Sequence, residues 1–203
     1  MSRRLIILGA SGHGKVAADI AMQRGYEEIL FLDDNPDIQM CLGCPVAGRI
    51  TDAETFAGDF FVAIGNAALR ESFQNRLERA GKPVVSLIHP SSVIGRETVI
   101  GSGTVIMAGA VINPGAALGR GCIVNTCASV DHDCRIGDFV HVSVGARVAG
   151  TVMVGARTWI GVGAVVKNNI EIAADCMIGA GTTVVRPITE AGTYVGTPAR
   201  KIK

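Results

Sequence analysis

An aliphatic residue recurs every six positions through the second half of the chain, and this repeat constrains the fold more than any other feature. The repeat continues without a slip through sixteen positions: Ile94, Ile100, Ile106, Ile112, Leu118, Val124, Val130, Ile136, Val142, Val148, Val154, Ile160, Val166, Ile172, Ile178 and Val184. The fourth position after each aliphatic residue is mostly small or β-branched, as at Ala110, Ala146 and Ala164. A period of six is typical of a parallel β-helix, in which aliphatic side chains point into a prism and small residues occupy its corners.

The period also predicts how the coils stack. Three hexapeptides make one triangular coil of 18 residues, so the sixteen hexapeptides make a little over five coils. Residues 18 apart should lie on neighbouring coils, roughly 4.8 Å apart, and each coil buries its apolar face only against its neighbours. The repeat is specific for the fold, but by itself it indicates neither a function nor the handedness of the coil.

The first part of the chain, up to about Ile88, follows a different pattern in which short apolar strands alternate with helices. The predicted strands are Leu5–Leu8, Ile29–Leu32, Phe60–Ile64 and Val84–Ile88, and the predicted helices are Lys15–Arg24 and Ala67–Ala80. This alternation predicts a small parallel sheet of the Rossmann-like type. We therefore predict an α/β domain over residues 1–90 and an all-β domain over residues 91–203.

The composition argues against several classes of protein. The mean hydropathy is +0.37, yet no apolar run reaches the ~18 residues of a membrane-spanning helix. The net charge of +1 and the 4% of aromatic residues argue against a nucleic-acid partner, because they supply neither a basic face nor a stacking platform. The apolar stretch that follows Arg3 and Arg4 is too short for a signal peptide, so we predict a cytoplasmic protein.

The six cysteines include one C-x-x-C pair, Cys41 and Cys44. A zinc site needs a second pair or histidines at ligand spacing, and neither follows this one. We therefore predict no metal, and we interpret the cysteines as reduced thiols, which a reducing compartment maintains.

The most polar interruption of the repeat is the stretch 125–134, in which Asp131 and Asp133 flank His132. A histidine beside a carboxylate can act as a general base, because the acid orients the ring and stabilises its protonated form. His132 is two residues after inward Val130, so it should point away from the prism axis. Gly150, 18 residues further on, should lie beside it with its N–H as a candidate oxyanion donor. A surface histidine and a simple corner glycine are the structural alternatives.

A glycine-rich turn, Gly9–Gly14, follows the first predicted strand and opens a helix. Its order is G-x-x-G-x-G rather than the dinucleotide-binding G-x-G-x-x-G, so it is a weak dinucleotide signal. A glycine turn at a helix N-terminus can nevertheless hold an anion. Asp33 ends the second strand, where an acid meets a ribose or uracil in such folds. A solvated turn formed by Asp33 and Asp34 is the alternative.

Eight motifs spread along residues 5–200 carry a resemblance to a known family: Gly9–Gly14, Phe31–Asp34, Ile64–Asn66, Ile88–Pro90, Asn125–Thr126, His132–Cys134, His141–Ala146 and Gly196–Arg200. Together they resemble the bacterial sugar O/N-acyltransferases that have a left-handed β-helix. This family includes the sialic-acid O-acetyltransferases and the UDP-4-amino-sugar N-acetyltransferases of bacillosamine synthesis, and the resemblance is closest to the latter.

The resemblance implies a left-handed β-helix, an acetyl-CoA-dependent N-acetyltransferase acting on a UDP-linked 4-amino-4,6-dideoxy sugar, and a homotrimer with each active site between two subunits. It implies that His132 is the general base, that Asp133 raises its basicity, and that His141 contacts acetyl-CoA near the thioester. Asp131 stays open as a substitute for Asp133. The resemblance also implies two sets of binding residues, for acetyl-CoA Gly150, Val162 and Ala180, and for the UDP-sugar Ser11, Gly12, His13, Asp33, Asp34 and Gly65.

Three other functions stay open at the level of sequence. An O-acetyltransferase acting on sialic acid or another sugar is hardly separated from the N-acetyltransferase, although the glycine turn favours a nucleotide-linked acceptor. A nucleotide-dependent oxidoreductase is disfavoured by the order of the glycines. A non-enzymatic scaffold is disfavoured by the pair His132 and Asp133 on a wall of small residues.

Overall fold

The computed structural model describes residues 3–203, and the chain divides into two compact units, Met1–Pro90 and Ser91–Lys203. In chain order the elements of the first unit are β1 (Arg4–Leu8), α1 (Gly12–Gln23), β2 (Glu28–Leu32), β3 (Met40–Cys41), β4 (Cys44–Gly48), a 3₁₀ helix (Ile50–Thr55), β5 (Asp59–Val62), α2 (Ala67–Arg79) and β6 (Leu87–Ile88). Its sheet has the strand order β3-β4-β2-β1-β5, and β4, β2, β1 and β5 run parallel. This is the Rossmann-like sheet that the alternating pattern predicts.

The core of the first unit lies on this sheet. The apolar residues Leu5–Leu8 of β1 are at most 1% exposed, because an interior strand of a parallel sheet is covered on both faces. Phe60 and Leu77 belong to a buried cluster on the sheet. Helix α2 begins where it does because the side chain of Asn66 accepts a hydrogen bond from the N–H of Leu69, a typical N-cap. Within residues 3–203, no helix combines the length and the hydropathy of a membrane span.

The hairpin of β3 and β4 is an element that the apolar pattern does not predict. It turns at Leu42 and Gly43, whose φ angles are 49° and 75°, as a two-residue hairpin with positive φ at both central positions requires. The C-x-x-C spacing therefore places Cys41 directly opposite Cys44 across the hairpin. The predicted fourth strand, Val84–Ile88, shrinks to one bridge at Val84 and to β6, because the chain leaves the edge of β5 after a single residue pair.

The second unit is a parallel β-helix, which confirms the fold predicted from the six-residue repeat. Its strands are β7 (Val93–Ile94), β8 (Val99–Ile100), β9 (Val105–Ile106), β10 (Val111–Ile112), β11 (Ala117–Leu118), β12 (Ile123–Val124), β13 (Ser129–Val130), β14 (Arg135–Ile136), β15 (His141–Val142), β16 (Arg147–Val148), β17 (Met153–Val154), β18 (Trp159–Ile160), β19 (Val165–Val166), β20 (Glu171–Ile172), β21 (Cys176–Ile178), β22 (Thr183–Val184), β23 (Gly192–Val195) and β24 (Arg200–Lys201). From β7 to β22 every third strand pairs in parallel, so that three sheets form the walls of the prism. Paired residues in these strands are 18 apart, as Ile112 and Val130 show. At the C-terminal end, β23 pairs in parallel with β21 and β24 pairs antiparallel with β23.

The prism is filled as the repeat predicts. The aliphatic residues of the repeat from Ile106 to Val184 are at most 3% exposed. Ile94, in the first coil, is 36% exposed. Turns at the corners pass through the left-handed region, and ordinary residues adopt it at Cys127, Asp133 and Phe139, with φ angles of 55°, 57° and 59°. The corner conformation is therefore open to residues that carry a side chain.

Candidate active site

His132 lies on a corner of the prism, in the turn between β13 and β14. The preceding strand ends at buried Val130, and the next strand starts at Arg135. The side chain of His132 is 57% exposed, so it points outward as its place in the repeat predicts. A rigid β-helix thus presents a titratable side chain to solvent on a turn whose backbone is held by the coils on either side.

The ring of His132 is oriented by Asp133. Nδ1 of His132 donates a hydrogen bond of 2.9 Å to Oδ2 of Asp133, which leaves Nε2 as the acceptor when the ring is neutral. This hydrogen bond is the main cause of a raised pKa of His132, and the negative charges of Asp131 and Asp133 add to it. The arrangement is that of a general base whose second ring nitrogen is held by a carboxylate.

Asp131 has other partners, so the geometry assigns the ring of His132 to Asp133. Oδ1 of Asp131 accepts hydrogen bonds from Nδ2 of Asn113 at 2.7 Å and from the backbone N–H of His132 at 2.8 Å. These two bonds lower the pKa of Asp131. Asp131 is therefore a fixed negative charge beside the histidine, and its carboxylate fastens the backbone of the corner.

Gly150 lies against the other side of the ring, one coil further along. A Cβ atom placed on Gly150 would stand 2.5 Å from Nε2 of His132 and 2.7 Å from Cε1, distances that real Cβ atoms do not reach. The N–H of Thr151 donates to the carbonyl of His132 at 2.9 Å, which keeps the two coils in register. The predicted neighbourhood of His132 and Gly150 is present, and glycine there leaves the space that the ring occupies.

His141 occupies a different environment, in β15. It is 8% exposed, and its Nε2 lies 3.2 Å from Nδ2 of Asn125. Its ring is 4.4 Å from that of Trp159, with the two planes tilted by 40°, because the two residues are directly opposite in the pairing of β15 with β18. Sequence reasoning does not select Asn125 or Trp159 as site residues, although the 18-residue spacing of His141 and Trp159 signals this stacking.

Val162 and Ala180 lie on another corner of the prism. Val162 follows β18 and Ala180 follows β21, and both are exposed. The N–H of Gly181 donates to the carbonyl of Val162 at 2.8 Å, so these two corner turns stack on each other. Within one chain the predicted acetyl-CoA residues are therefore divided, because Gly150 shares the corner of His132 whereas Val162 and Ala180 do not.

In the first unit, the glycine turn is packed tightly under the start of α1. Gly9 has a φ of +104°, and a Cβ on Gly14 would stand 2.0 Å from the carbonyl oxygen of Gly9. Ser11 and Gly12 are exposed, and Ser11 makes no side-chain cap to the helix. The first N–H groups of α1 are thus held open at a glycine turn, as an anion-binding helix end requires.

His13 faces inward beside this turn. Burial, with the positive charge of Arg70 as the second cause, lowers the pKa of His13 to about 4. Its Nε2 has no hydrogen-bond partner among residues 3–203, and its ring meets Phe61 edge-on, with 6.1 Å between the centroids. A neutral histidine with a buried, unpaired ring nitrogen therefore lies beside the glycine turn.

Arg70 is the residue of this region that sequence reasoning misses. It is 1% exposed in α2, and its guanidinium donates to the carbonyl oxygens of Ile64 at 2.7 Å and Gly65 at 2.9 Å. Gly65, predicted to bind the sugar nucleotide, is therefore fixed by a buried cation. An arginine four residues after the N-cap Asn66 is the only sequence signal for this contact.

The two predicted aspartates, Asp33 and Asp34, have different hydrogen-bond partners. Oδ2 of Asp33 accepts a hydrogen bond from the N–H of Ala10 at 2.6 Å, which joins the end of β2 to the glycine turn. Asp34 instead accepts from the N–H of Ile50 at 3.2 Å and lies 3.5 Å from the guanidinium of Arg49. Asp33 is thus built into the turn that could hold a ligand, and Asp34 is directed toward the 3₁₀ helix.

The cysteines do not form a metal site within residues 3–203, where no group of three or more histidine, cysteine or acidic side chains has a suitable arrangement. Cys41 and Cys44 are free and buried. Burial is the main cause that raises the pKa of both thiols. They are therefore protonated at neutral pH.

Comparison with known proteins places these features in a family. Residues 4–77 match the family model described as the PglD N-terminal domain. The chain is 30% identical over 156 residues to a GDP-perosamine N-acetyltransferase from Escherichia coli O157:H7, an alignment that covers 73% of this chain and 71% of that protein.

Two solved structures are similar along nearly the whole chain. The acetyltransferase domain of PglB from Neisseria gonorrhoeae FA1090, in complex with acetyl coenzyme A, is 37% identical, with 100% of each chain covered and a TM-score of 0.95. PerB from Caulobacter crescentus, in complex with CoA and GDP-perosamine, is 35% identical, with 98% of this chain and 97% of that chain covered and a TM-score of 0.90. These matches confirm the fold class, a Rossmann-like sheet followed by a left-handed parallel β-helix.

Proposed function

Because this chain belongs to the hexapeptide-repeat family of sugar N-acetyltransferases and is an acetyl-CoA-dependent acetyltransferase, we propose that it acetylates the amine of a UDP-linked 4-amino-4,6-dideoxy sugar. The observation that carries the proposal is the outward-facing pair on the prism corner, in which Asp133 holds Nδ1 of His132 and leaves Nε2 to accept a proton. Acetyl-CoA is available in the cytoplasm, where we place the reaction.

In the proposed mechanism, the neutral amine of the sugar attacks the carbonyl carbon of the acetyl thioester. Nε2 of His132 takes a proton from the nitrogen as the N–C bond forms, and the C–S bond then breaks to release the thiolate of CoA. The proton held by His132 passes to that sulfur, which restores the neutral ring. Asp133 stabilises the imidazolium in between, and the backbone N–H of Gly150 is our proposed donor to the developing oxyanion.

The first unit supplies the proposed binding site for the nucleotide sugar. We assign the phosphates to the glycine turn and the exposed Ser11 and Gly12 at the start of α1, where backbone N–H groups and the helix dipole favour an anion. His13, neutral at physiological pH, would exchange a hydrogen bond with the ligand. Asp33 is joined to the turn through the N–H of Ala10, and Gly65 is held by Arg70. Asp34 is the weakest member of the set because it is engaged with Arg49.

The division of the acetyl-CoA residues between two corners supports a site shared between subunits. One prism offers His132 and Gly150 on one corner and Val162 and Ala180 on another, with buried His141 on the wall that leads to the second corner. We propose that a homotrimer joins the first corner of one subunit to the second corner of its neighbour. Acetyl-CoA would then lie in the groove between two prisms.

Two nucleotides, UDP and GDP, are candidates for the carrier of the sugar. The resemblance to the bacillosamine-pathway enzymes favours UDP, whereas the GDP-perosamine N-acetyltransferase relatives favour GDP. Both relatives point to an amine acceptor rather than the hydroxyl of sialic acid. The purified chain, incubated with acetyl-CoA and in turn with a UDP-4-amino-4,6-dideoxy sugar, GDP-perosamine and sialic acid, separates these acceptors through the rate of thiol release.

With the UDP-sugar as acceptor, we expect thiol release and an acetylated product that withstands mild alkali, because an amide survives conditions that cleave an ester. Faster turnover of GDP-perosamine would identify GDP rather than UDP as the nucleotide of the acceptor, and the proposed transfer chemistry would be unchanged. An alkali-labile product from sialic acid would change the acceptor to a hydroxyl. Absence of thiol release with all three acceptors would refute the proposal.

A further inference from the structure

Gly115 lies one coil before Asp133, on the corner that carries His132. A Cβ atom placed on Gly115 would stand 2.7 Å from Oδ1 of Asp133 and 3.6 Å from its Cγ. A real Cβ does not approach an oxygen so closely, so any other residue at position 115 would push the carboxylate aside. The N–H of Asp133 donates to the carbonyl of Pro114 at 3.2 Å, so the backbone cannot easily retreat from Gly115.

The backbone conformation of Gly115 does not by itself require glycine. Its φ is +73°, but the four other residues at the equivalent position of the other coils carry side chains in the same left-handed region: Glu97 at 59°, Asp133 at 57°, Thr151 at 57° and Asn169 at 58°. The corner thus accepts ordinary residues at this position. What distinguishes position 115 is the carboxylate of Asp133 above it.

The two halves of the acid–histidine pair are thus each seated on a glycine. Gly115 leaves the space for the Asp133 carboxylate on one side, and Gly150 leaves the space for the His132 ring on the other. Both glycines are needed if the hydrogen bond between Nδ1 and Oδ2 is to keep its length of 2.9 Å. A shift of either group by a few tenths of an ångström would misalign the base.

We propose that Gly115 is a positioning residue for acetyl transfer, because its missing side chain lets the Asp133 carboxylate turn toward His132. The inference rests on the proposed function, in which His132 is the base. Gly115 acts only through Asp133 and contacts neither substrate. Its substitution is expected to affect the proton transfer while leaving the binding of acetyl-CoA unchanged.

The test is a double-mutant cycle of Gly115→Ala and Asp133→Ala. In the natural background we expect Gly115→Ala to lower kcat about tenfold, with KM for acetyl-CoA within about twofold of its natural value. In the Asp133→Ala background, where no carboxylate remains to be displaced, the same substitution should change kcat by less than about twofold. The acid limb of the pH profile of Gly115→Ala should move to lower pH, because His132 loses the partner that raises its pKa.

Gly81→Ala is the matched control. Gly81 follows α2, outside the proposed sites; it has a φ of +68°, and a Cβ there would meet no atom within 4 Å, so this variant measures the cost of an alanine in the left-handed region alone. Equal losses of kcat for Gly115→Ala and Gly81→Ala, or an equal effect of Gly115→Ala in both backgrounds, would overturn the inference. If His132→Ala and Asp133→Ala themselves leave kcat unchanged, the assignment of the base fails instead.

Discussion

Two histidines of this protein show how one residue type acquires opposite properties in the two units. His13 is enclosed beside the glycine turn, where burial and Arg70 lower its pKa to about 4. His132 stands in solvent on a prism corner, where the hydrogen bond to Asp133 raises its pKa. Burial penalises the charged ring, and an adjacent carboxylate favours it. The first histidine is therefore suited to neutral hydrogen bonding, and the second is suited to accept a proton.

The sharpest test of this comparison replaces each histidine by alanine. His132→Ala should lower kcat by at least about 10²-fold, because the proton acceptor is removed, while acetyl-CoA measured by calorimetry binds as before. His13→Ala should instead raise KM for the nucleotide sugar about tenfold and leave kcat within about threefold, as expected for a residue that binds without reacting. Steady-state kinetics with both substrates varied would show this split. If His13→Ala costs kcat as much as His132→Ala does, the two roles are not distinct.

A second test compares the two acids beside His132. Asp133→Asn should lower kcat about tenfold and move the acid limb of the pH profile of kcat/KM to lower pH, because the strongest influence that raises the pKa of His132 is lost. Asp131→Asn should cost less than about threefold, since its Oδ1 is occupied by Asn113 and by the backbone. The pH profiles of the two variants form a matched pair. A larger shift for Asp131→Asn would reverse the assignment of the partner.

The last test concerns stability in acid rather than catalysis. The pKa of His13 is lowered in the folded protein, so the unfolded chain binds the extra proton first as the pH falls. The contribution of His13 to the free energy of unfolding is complete above about pH 6.5 and declines down to about pH 4, by about 3 kcal/mol at most. Thermal unfolding of the full chain at pH 7.5 and pH 5, compared with His13→Gln, measures it.

We expect the difference in Tm between the two pH values to be smaller in His13→Gln than in the natural protein, because glutamine does not titrate. His132→Gln is the control with the opposite sign, since an exposed histidine with a raised pKa binds its proton more readily in the folded state than in the unfolded chain. An unchanged difference in Tm in His13→Gln would mean that other groups cause the acid sensitivity.

The repeat region was the part most open to prediction from sequence. A strict period of six, with three hexapeptides to a coil, predicts which residues stack on neighbouring coils, so the distance of 18 residues already places Gly150 beside His132 and Trp159 beside His141. The first unit was less predictable, because short apolar runs do not show where a strand ends. The hairpin at Cys41 and Cys44 is the clearest example, since its spacing belongs to a turn rather than to a metal site.

The remaining details depended on contacts between residues far apart in the chain. The sequence places Asp131 and Asp133 symmetrically around His132. The structure distinguishes them, because Asn113, one coil away, donates a hydrogen bond to Asp131, whereas Asp133 accepts one from the ring of His132. Arg70 is similar, because an arginine in an amphipathic helix is ordinarily solvated, and its burial follows from the carbonyl oxygens of Ile64 and Gly65.

By itself the sequence determined the alternation of strand and helix, the prism and its register, and the outward position of His132, because these depend on local periodicity. The tertiary structure decided which carboxylate orients the base, which glycines make room for it, and which histidine ring is desolvated. Those properties depend on distances of a few ångströms between coils and between helix and sheet. Hydrogen bonding and desolvation act over such distances, and no one-dimensional pattern encodes them.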